Sequence, residues 1–291
     1  MKDYRSIFPL EKMACILGVS KSGYYAFMKR VPSKRALENE DLVKKISMIF
    51  KASNETYGSP RIHAELLDQG VVCSRSRIAR LMRYHHIQAK MYKRFVKTTK
   101  RNNNTPYPTQ DLVQQNFYTP IPNTLWVADI TYIAINQRWA YLAIILDLFS
   151  RKVVGMALKE NMKTPLILEA LNQALLLRRP ARGLVHHSDL GSQYTSHELY
   201  KIAQQYGIKL SHGKTGYAYD NAAMETFFHT LKTELTHFKK YKTLEEAEGD
   251  IFSYIFTFYN SKRRHSTLNY QSPNQWENKY YQQKAISVQR V

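Results

Sequence analysis

The chain has 291 residues, 44% of them hydrophobic, with 43 Lys and Arg against 23 Asp and Glu, a formal charge of +20. That length can hold two domains of ordinary size, and no apolar run reaches the roughly 18 residues of a bilayer span. The N-terminus "MKDYRSIFPLEK" lacks the apolar stretch of a secretory signal, and two cysteines, Cys15 and Cys73, cannot build a disulfide framework, so a reducing cytoplasm and a polyanionic partner, nucleic acid before membrane, are expected.

Residues 1–105 hold 22 of the basic and 8 of the acidic residues, a net of +14. The rest carry 21 against 15, a net of +6. The first third is therefore the main candidate to meet a polyanion. Residues 10–29 read as helix, turn, helix, with Met13, Ile16 and Leu17 on one apolar face, Gly18 as stop and Ser20 as cap. A helix-turn-helix places the start of its second helix in a major groove, which makes Lys21 and Tyr24 candidate DNA contacts. Residues 36–53 read as an amphipathic helix. Residues 59–70 and 74–87 form a second such pair, with Ser74 as cap and Ile78, Leu81 and Met82 inward. Arg75, Arg77, Arg80 and Arg83 are then mostly outward, and Arg75, Arg77 and Arg80 are taken as DNA contacts. The plainer reading of each pair is an αα-hairpin with a solvated basic face.

Residues 96–123, rich in Asn, Thr and Pro, read as an extended linker with at most one short turn. From 124 the pattern becomes three β-rich runs, a helix at 164–179 with Thr164 as cap, then strand, helix, strand and a helix at 221–238. This is the order of a ribonuclease-H-like α/β core, an antiparallel meander extended by parallel strands on crossovers. The expected domains are a helical helix-turn-helix region over 1–95, the linker over 96–123, the catalytic core over 124–240 and a C-terminal helical extension over 241–291.

In that core the middle of the first strand, the end of the fourth and a later helix lie near one another. Asp129, Asp189 and Glu225 would meet there. Three close carboxylates repel unless cations intervene. Mg²⁺ favours carboxylate and water oxygens and leaves room for phosphate, and two such ions serve phosphoryl transfer. Taken singly, the three acids read equally well as a strand-edge acid, a turn former and a solvated helix residue.

The motifs "WVADITYI", "HHSDLGSQYTS", "YDNAAMETFFHTLKTEL" and "YNSKRRHSTLNYQSPNQW" occur in that order, with 35 residues between Asp189 and Glu225. With "YGSPRIHAEL" and "RIARLMR" upstream, the chain resembles over nearly its whole length a DDE transposase with an integrase catalytic core, in particular the OrfB product of the insertion-sequence-3 family. The resemblance implies Asp129, Asp189 and Glu225 as catalytic metal ligands. It implies Mg²⁺, with Mn²⁺ as substitute. It also implies cleavage at the inverted-repeat ends of an element, followed by attack of the freed 3′-hydroxyl on target DNA. An OrfA product, fused by frameshift or separate, and a homo-oligomer are the implied protein partners. The enzyme would be cytoplasmic and nucleoid-associated when bound to DNA. The alternatives are a ribonuclease-H-like nuclease without strand transfer and a non-catalytic DNA-binding regulator.

Further residues attach to this site. His229 and Lys232 share the helical stripe of Glu225 and are candidate DNA contacts. Lys214, in a loop with two glycines, and Arg263 and Arg264, after an aromatic helix, are further candidates. Phe227 and Leu231 are expected in the core, and Asp220 or Asn221 as the helix cap. Asp147 is expected to be structural rather than a ligand. His186 and His187 precede Asp189, and one of them could approach the phosphate or equally well make a structural hydrogen bond. No zinc is expected, because Cys15 and Cys73 lie far apart and no paired ligand spacing exists. Both thiols should be buried or half-buried.

Overall fold

The computed structural model describes residues 1–90, 110–114, 116–213 and 222–288. The chain opens with two short helices, α1 (Leu10–Ile16) and α2 (Lys21–Met28). Gly18 turns the chain at φ +63°, and the Ser20 hydroxyl accepts from the Gly23 N–H at 3.0 Å. The pair buries only Ala14 and Tyr24. Ile16 (83% exposed) and Leu17, expected to face inward, face outward, because the hairpin has no third layer to cover them. Cys15 is likewise exposed, against expectation, while Cys73 is half-buried.

A three-helix unit follows: α3 (Lys34–Ala52), α4 (Ser59–Asp68) and α5 (Arg75–Tyr84). Ser33 and Ser74 cap α3 and α5 through their hydroxyls. Gly70 adopts φ +76° between α4 and α5, a conformation that costs Gly little. Leu42 and Ile46 of α3, Ile62 and Leu66 of α4, and Ile78, Leu81 and Met82 of α5 are buried together.

The sheet has the order β3-β2-β1-β4-β5. β1 (Leu125–Ile135), β2 (Arg138–Asp147) and β3 (Lys152–Lys159) form the antiparallel meander. Asn136 and Gln137 both have positive φ, the two-residue turn that matches strand twist. β4 (Val185–Ser188) and β5 (Lys209–His212) add in parallel. Parallel neighbours need crossovers, and α6 (Thr164–Arg178) and α7 (His197–Tyr206) supply them. This is the ribonuclease-H-like order. Lys163, not Thr164, precedes the first turn of α6, and no side chain caps it, since a lysine ammonium group has no lone pair to accept a backbone N–H.

Successive β1 residues point to opposite faces. Trp126 and Ala128 pack under α6 and α7. Leu125, Val127 and Ile133 pack on the other face with α8 (Ala222–Glu234), α9 (Leu244–Ser253) and its π-helical continuation Tyr254–Tyr259. The same apolar cluster runs on into α3, α4 and α5, so the helical unit and the sheet share one core. Their joint is polar. The Tyr57 hydroxyl donates to the Lys262 carbonyl at 3.2 Å and accepts from the Arg264 N–H at 2.8 Å.

α10 (Pro273–Val288) closes the chain. Its Glu277 receives Arg178 at 2.7 and 2.8 Å and Ser150 at 2.7 Å. Asp147, fully buried, accepts the Asn123 and Phe149 N–H groups and lies 3.3 Å from Arg178. It is structural, as expected. Residues 110–114, inside the stretch read as linker, lie against the sheet edge: the Leu112 N–H donates to Ser211 and the His212 N–H to the Gln110 carbonyl.

Candidate active site

β1 and β4 set the site. Leu125 pairs with Val185, Trp126 with His186 and Val127 with His187. Asp129 lies two residues beyond the last pair on β1, and Asp189 follows directly after β4 ends at Ser188. The two carboxyls lie close enough for the charge of Asp189 to act on Asp129. Asp129 shares its face with Val127 and Ile133, the face α8 covers through Met224, Phe227, Phe228 and Leu231. Phe227 and Leu231 are thus in the core as expected. That packing fixes the rotation of α8, and Glu225 emerges, exposed, from its first turn.

Asp129 is half-buried and Asp189 exposed. The Ile130 N–H donates to Asp129 at 2.7 Å, and the Gly191 N–H to Asp189 at 3.1 Å. Loss of solvation, then the negative charge of Asp189, then the weaker effect of Glu225 push the Asp129 carboxyl up to about 7, while the Ile130 N–H and Lys232 oppose the rise. All three acids therefore share one electrostatic site. They do not form a closed ligand cluster: among the described residues, no three acid, His or Cys side chains stand within reach of a single ion. Like charges without compensation favour separation. As a donor set the site fits a hard cation, being all carboxylate oxygen with one acid already strained by its neighbours' charge.

Lys232 sits half-buried on α8, where desolvation lowers its ammonium group and the charge of Asp129 raises it. It belongs to the acid site rather than to a distant surface. His229, one turn earlier, is exposed. At the ends of β4 and β5 the histidines favour the structural of the two readings. The His187 ring bonds Ser211 at 2.9 Å, and His212 Nδ1 lies 3.3 Å from the Asp189 carbonyl. Burial, then His212 and His187, hold His186 neutral, with its group lowered to about 3. His212 and Ser211 were missed; their signal was the position of "LSHG" at the end of the strand beside β4.

The other expected contacts divide. Arg75 and Arg80 are exposed on α5, outward as expected. Arg77 is not free: it donates to Asn39 at 2.9 Å and Glu38 at 3.3 Å, since its place on α5 faces α3. Lys21 is exposed and pairs with Glu11. Tyr24, read as a DNA contact, is buried (8% exposed), because two short helices need its ring as their core. Arg263 and Arg264, read as gripping DNA, are buried at 4% and 6%. Arg263 binds Glu234 at 2.7 and 2.8 Å, and Arg264 binds Glu65 at 2.5 Å and Asp68 at 2.6 Å. A buried guanidinium needs a carboxylate, and both found one. Lys214, Asp220 and Asn221 lie outside the described residues.

Known proteins give the arrangement its family. The model of the integrase core domain matches residues 119–218, a second integrase core domain model matches 225–281, and an HTH-like domain matches 36–95. The 31 kDa protein of insertion element IS600 from Shigella sonnei is 40% identical over 94% of this chain and 100% of its own length. Transposase InsF for insertion sequence IS3A from Escherichia coli (strain K12) is 33% identical over 96% of this chain and 97% of its own. The HTLV-2 integrase catalytic core domain, solved in complex with magnesium, is 19% identical with a TM-score of 0.43, covering 53% of this chain and 96% of that one. Among the described residues no helix is long and apolar enough to cross a membrane. A basic helical unit sharing its core with an integrase-type sheet, matched nearly end to end by such relatives, places the chain in the insertion-sequence-3 family of transposases.

Proposed function

We propose that the protein binds the terminal inverted repeats of its insertion sequence, cleaves one strand at a 3′ end with water, and joins the freed 3′-hydroxyl to target DNA. One observation supports the reading: the Asp129 carboxyl, on β1, is pushed up by burial and then by the charges of Asp189, just after β4, and Glu225, on α8. Asp129, Asp189 and Glu225 would hold divalent cations, Mg²⁺ by preference with Mn²⁺ as substitute, two in number. Bound there, the cations would neutralise the reacting phosphate and activate the attacking oxygen.

The chain's own residues do the rest. The Ile130 and Gly191 N–H groups each hold one carboxyl oxygen, of Asp129 and of Asp189. Lys232, beside Asp129, offers an ammonium group to a phosphate and reads no base. Arg75 and Arg80 on α5 face the repeat DNA. A second copy of the chain and an OrfA product are the proposed protein partners, and the nucleoid the working location.

The test is incubation of the purified chain with candidate element ends and Mg²⁺, with products sized at nucleotide resolution. Ala at Asp129, Asp189 or Glu225 should abolish cleavage and joining while end binding persists. Wild-type cleavage by Glu225→Ala would remove Glu225 from the site. Cutting of ends without any joining would favour a nuclease.

A further inference from the structure

The joint between the helical unit and the sheet gathers positive charge from three separate elements. Arg61 comes from α4, Arg151 from the β2–β3 turn, and Arg263 from the segment after the π-helix. Tyr259 and His265 lie among them: the Val153 N–H, two residues after Arg151, donates at 3.0 Å to Asn260, the neighbour of Tyr259, and each of the two side chains feels all three guanidinium groups. Arg263 stacks over the Tyr259 ring at 5.7 Å, and the His265 ring meets Tyr259 edge-on at 4.8 Å. One carboxylate, Glu234, serves the group. Arg263 takes it at 2.7 Å, and Arg61 reaches it only at 3.7 Å. The nearby acids Glu65 and Asp68 are engaged by Arg264.

Arg151 has no carboxylate partner among the described residues and is half-buried. Its backbone lies at φ +58°, where glycine is the easier occupant. Folding alone gives no reason to hold an unpaired guanidinium there. Burial also lowers the guanidinium groups of Arg61 and Arg151, and the surrounding positive charge helps drive His265 down to about 2. The group needs an anion, as the carboxylate site needs a cation.

We propose that Arg61 and Arg151 form a binding site for a backbone phosphate of DNA, set at the joint between the DNA-binding unit and the catalytic core. The site would take any duplex sequence, because guanidinium groups here meet phosphate oxygens, not base edges. One duplex could then touch α5, the joint and the acid site. This rests on the DNA reading above.

The test uses the full chain and arbitrary-sequence duplexes. Arg151→Gln removes no ion pair, so its melting temperature should equal or exceed that of the wild type. Its affinity should fall several-fold for every duplex alike. The slope of log K against log salt should drop by about one phosphate's share, roughly 0.9. Arg151→Lys should recover part of both. Inorganic pyrophosphate should raise the wild-type melting temperature more than that of Arg151→Gln. DNA binding with an unchanged slope in Arg151→Gln would overturn the site and leave the transposase reading standing. Pyrophosphate stabilisation that depends on Arg151, in a chain that binds no DNA, would keep an anion site but overturn both its assignment to DNA and the transposase reading.

Discussion

The residues at the site differ in what they can lose. Lys232 lies within the field of Asp129, so its charge acts where the phosphate would sit. Lys232→Glu should weaken joining for all end sequences alike, by about 1–3 kcal/mol, through a lost contact and added repulsion. Joining kinetics at low and moderate salt read this, and wild-type rates in both would place the DNA on another path. His265 gives a pH signature of a different kind. Its folded value is about 2, held down by burial and by Arg263, against an ordinary 6.5. The unfolded chain therefore binds a proton near 6.5 that the native chain refuses, and stability is lost as pH falls below that value. Between pH 7 and 5 the loss is of order 2 kcal/mol, from about 1.5 units at 1.36 each. Denaturant titrations should show that loss in the wild type and less of it in His265→Gln. The nearness of Asp129 to Asp189 and Glu225 was legible in the sequence because strand order locates the elements that carry them. The fate of Arg77, Arg263 and Arg264 could not, since periodicity gives the face of a helix but not the carboxylate that awaits it.

At the scale of elements, α8 carries an acid in its first turn, Glu225, and in its last turn, Glu234. An acid at a helix C-terminus opposes the helix dipole, so Glu234 must answer to something else. It accepts from Arg263 and from the Tyr254 hydroxyl at 2.7 Å. Glu234→Ala would leave Arg263 buried and unpaired. The expected cost is about 3–5 kcal/mol, measured by denaturant unfolding, with end cleavage impaired at temperatures where the fold persists. A cost under 1 kcal/mol would mean that Arg263 finds another partner. β3 and α6 approach closely elsewhere: a Cβ on Gly155 would stand 2.1 Å from the Ala170 carbonyl oxygen. Strand and helix positions were largely legible, and so were the caps Ser20 and Ser74, which accept from the N–H groups three residues on, whereas the cap read at Thr164 was not found. The outward turn of Ile16 and Leu17 was not, because a helical stripe implies a partner layer that α1 lacks.

For the whole molecule, the sequence suggests a DNA-binding region strung from a catalytic core, and the structure joins them. Ile46, Ile62 and Ile78 belong to the same buried cluster as Val127, Phe227 and Ile255. Tyr57 and Arg264 bridge the seam with hydrogen bonds at 2.8 and 2.5 Å. Units that share a core unfold as one. The first hairpin is different, since α1 and α2 bury only Ala14 and Tyr24. Hydrogen exchange on the full chain should then resolve two classes. Amides of α1 and α2 should exchange with little protection. Amides of α3, α4 and α5 should exchange with those of β1 and β2, at one common opening free energy. Arg264→Ala removes the ion pairs with Glu65 and Asp68 and the bond to the Tyr270 carbonyl. It should lower that common free energy by about 1–3 kcal/mol and let α4 and α5 exchange ahead of the sheet. If α3, α4 and α5 already open separately in the wild type, the shared core is too weak to bind them, and DNA held on α5 would not fix the position of the acids.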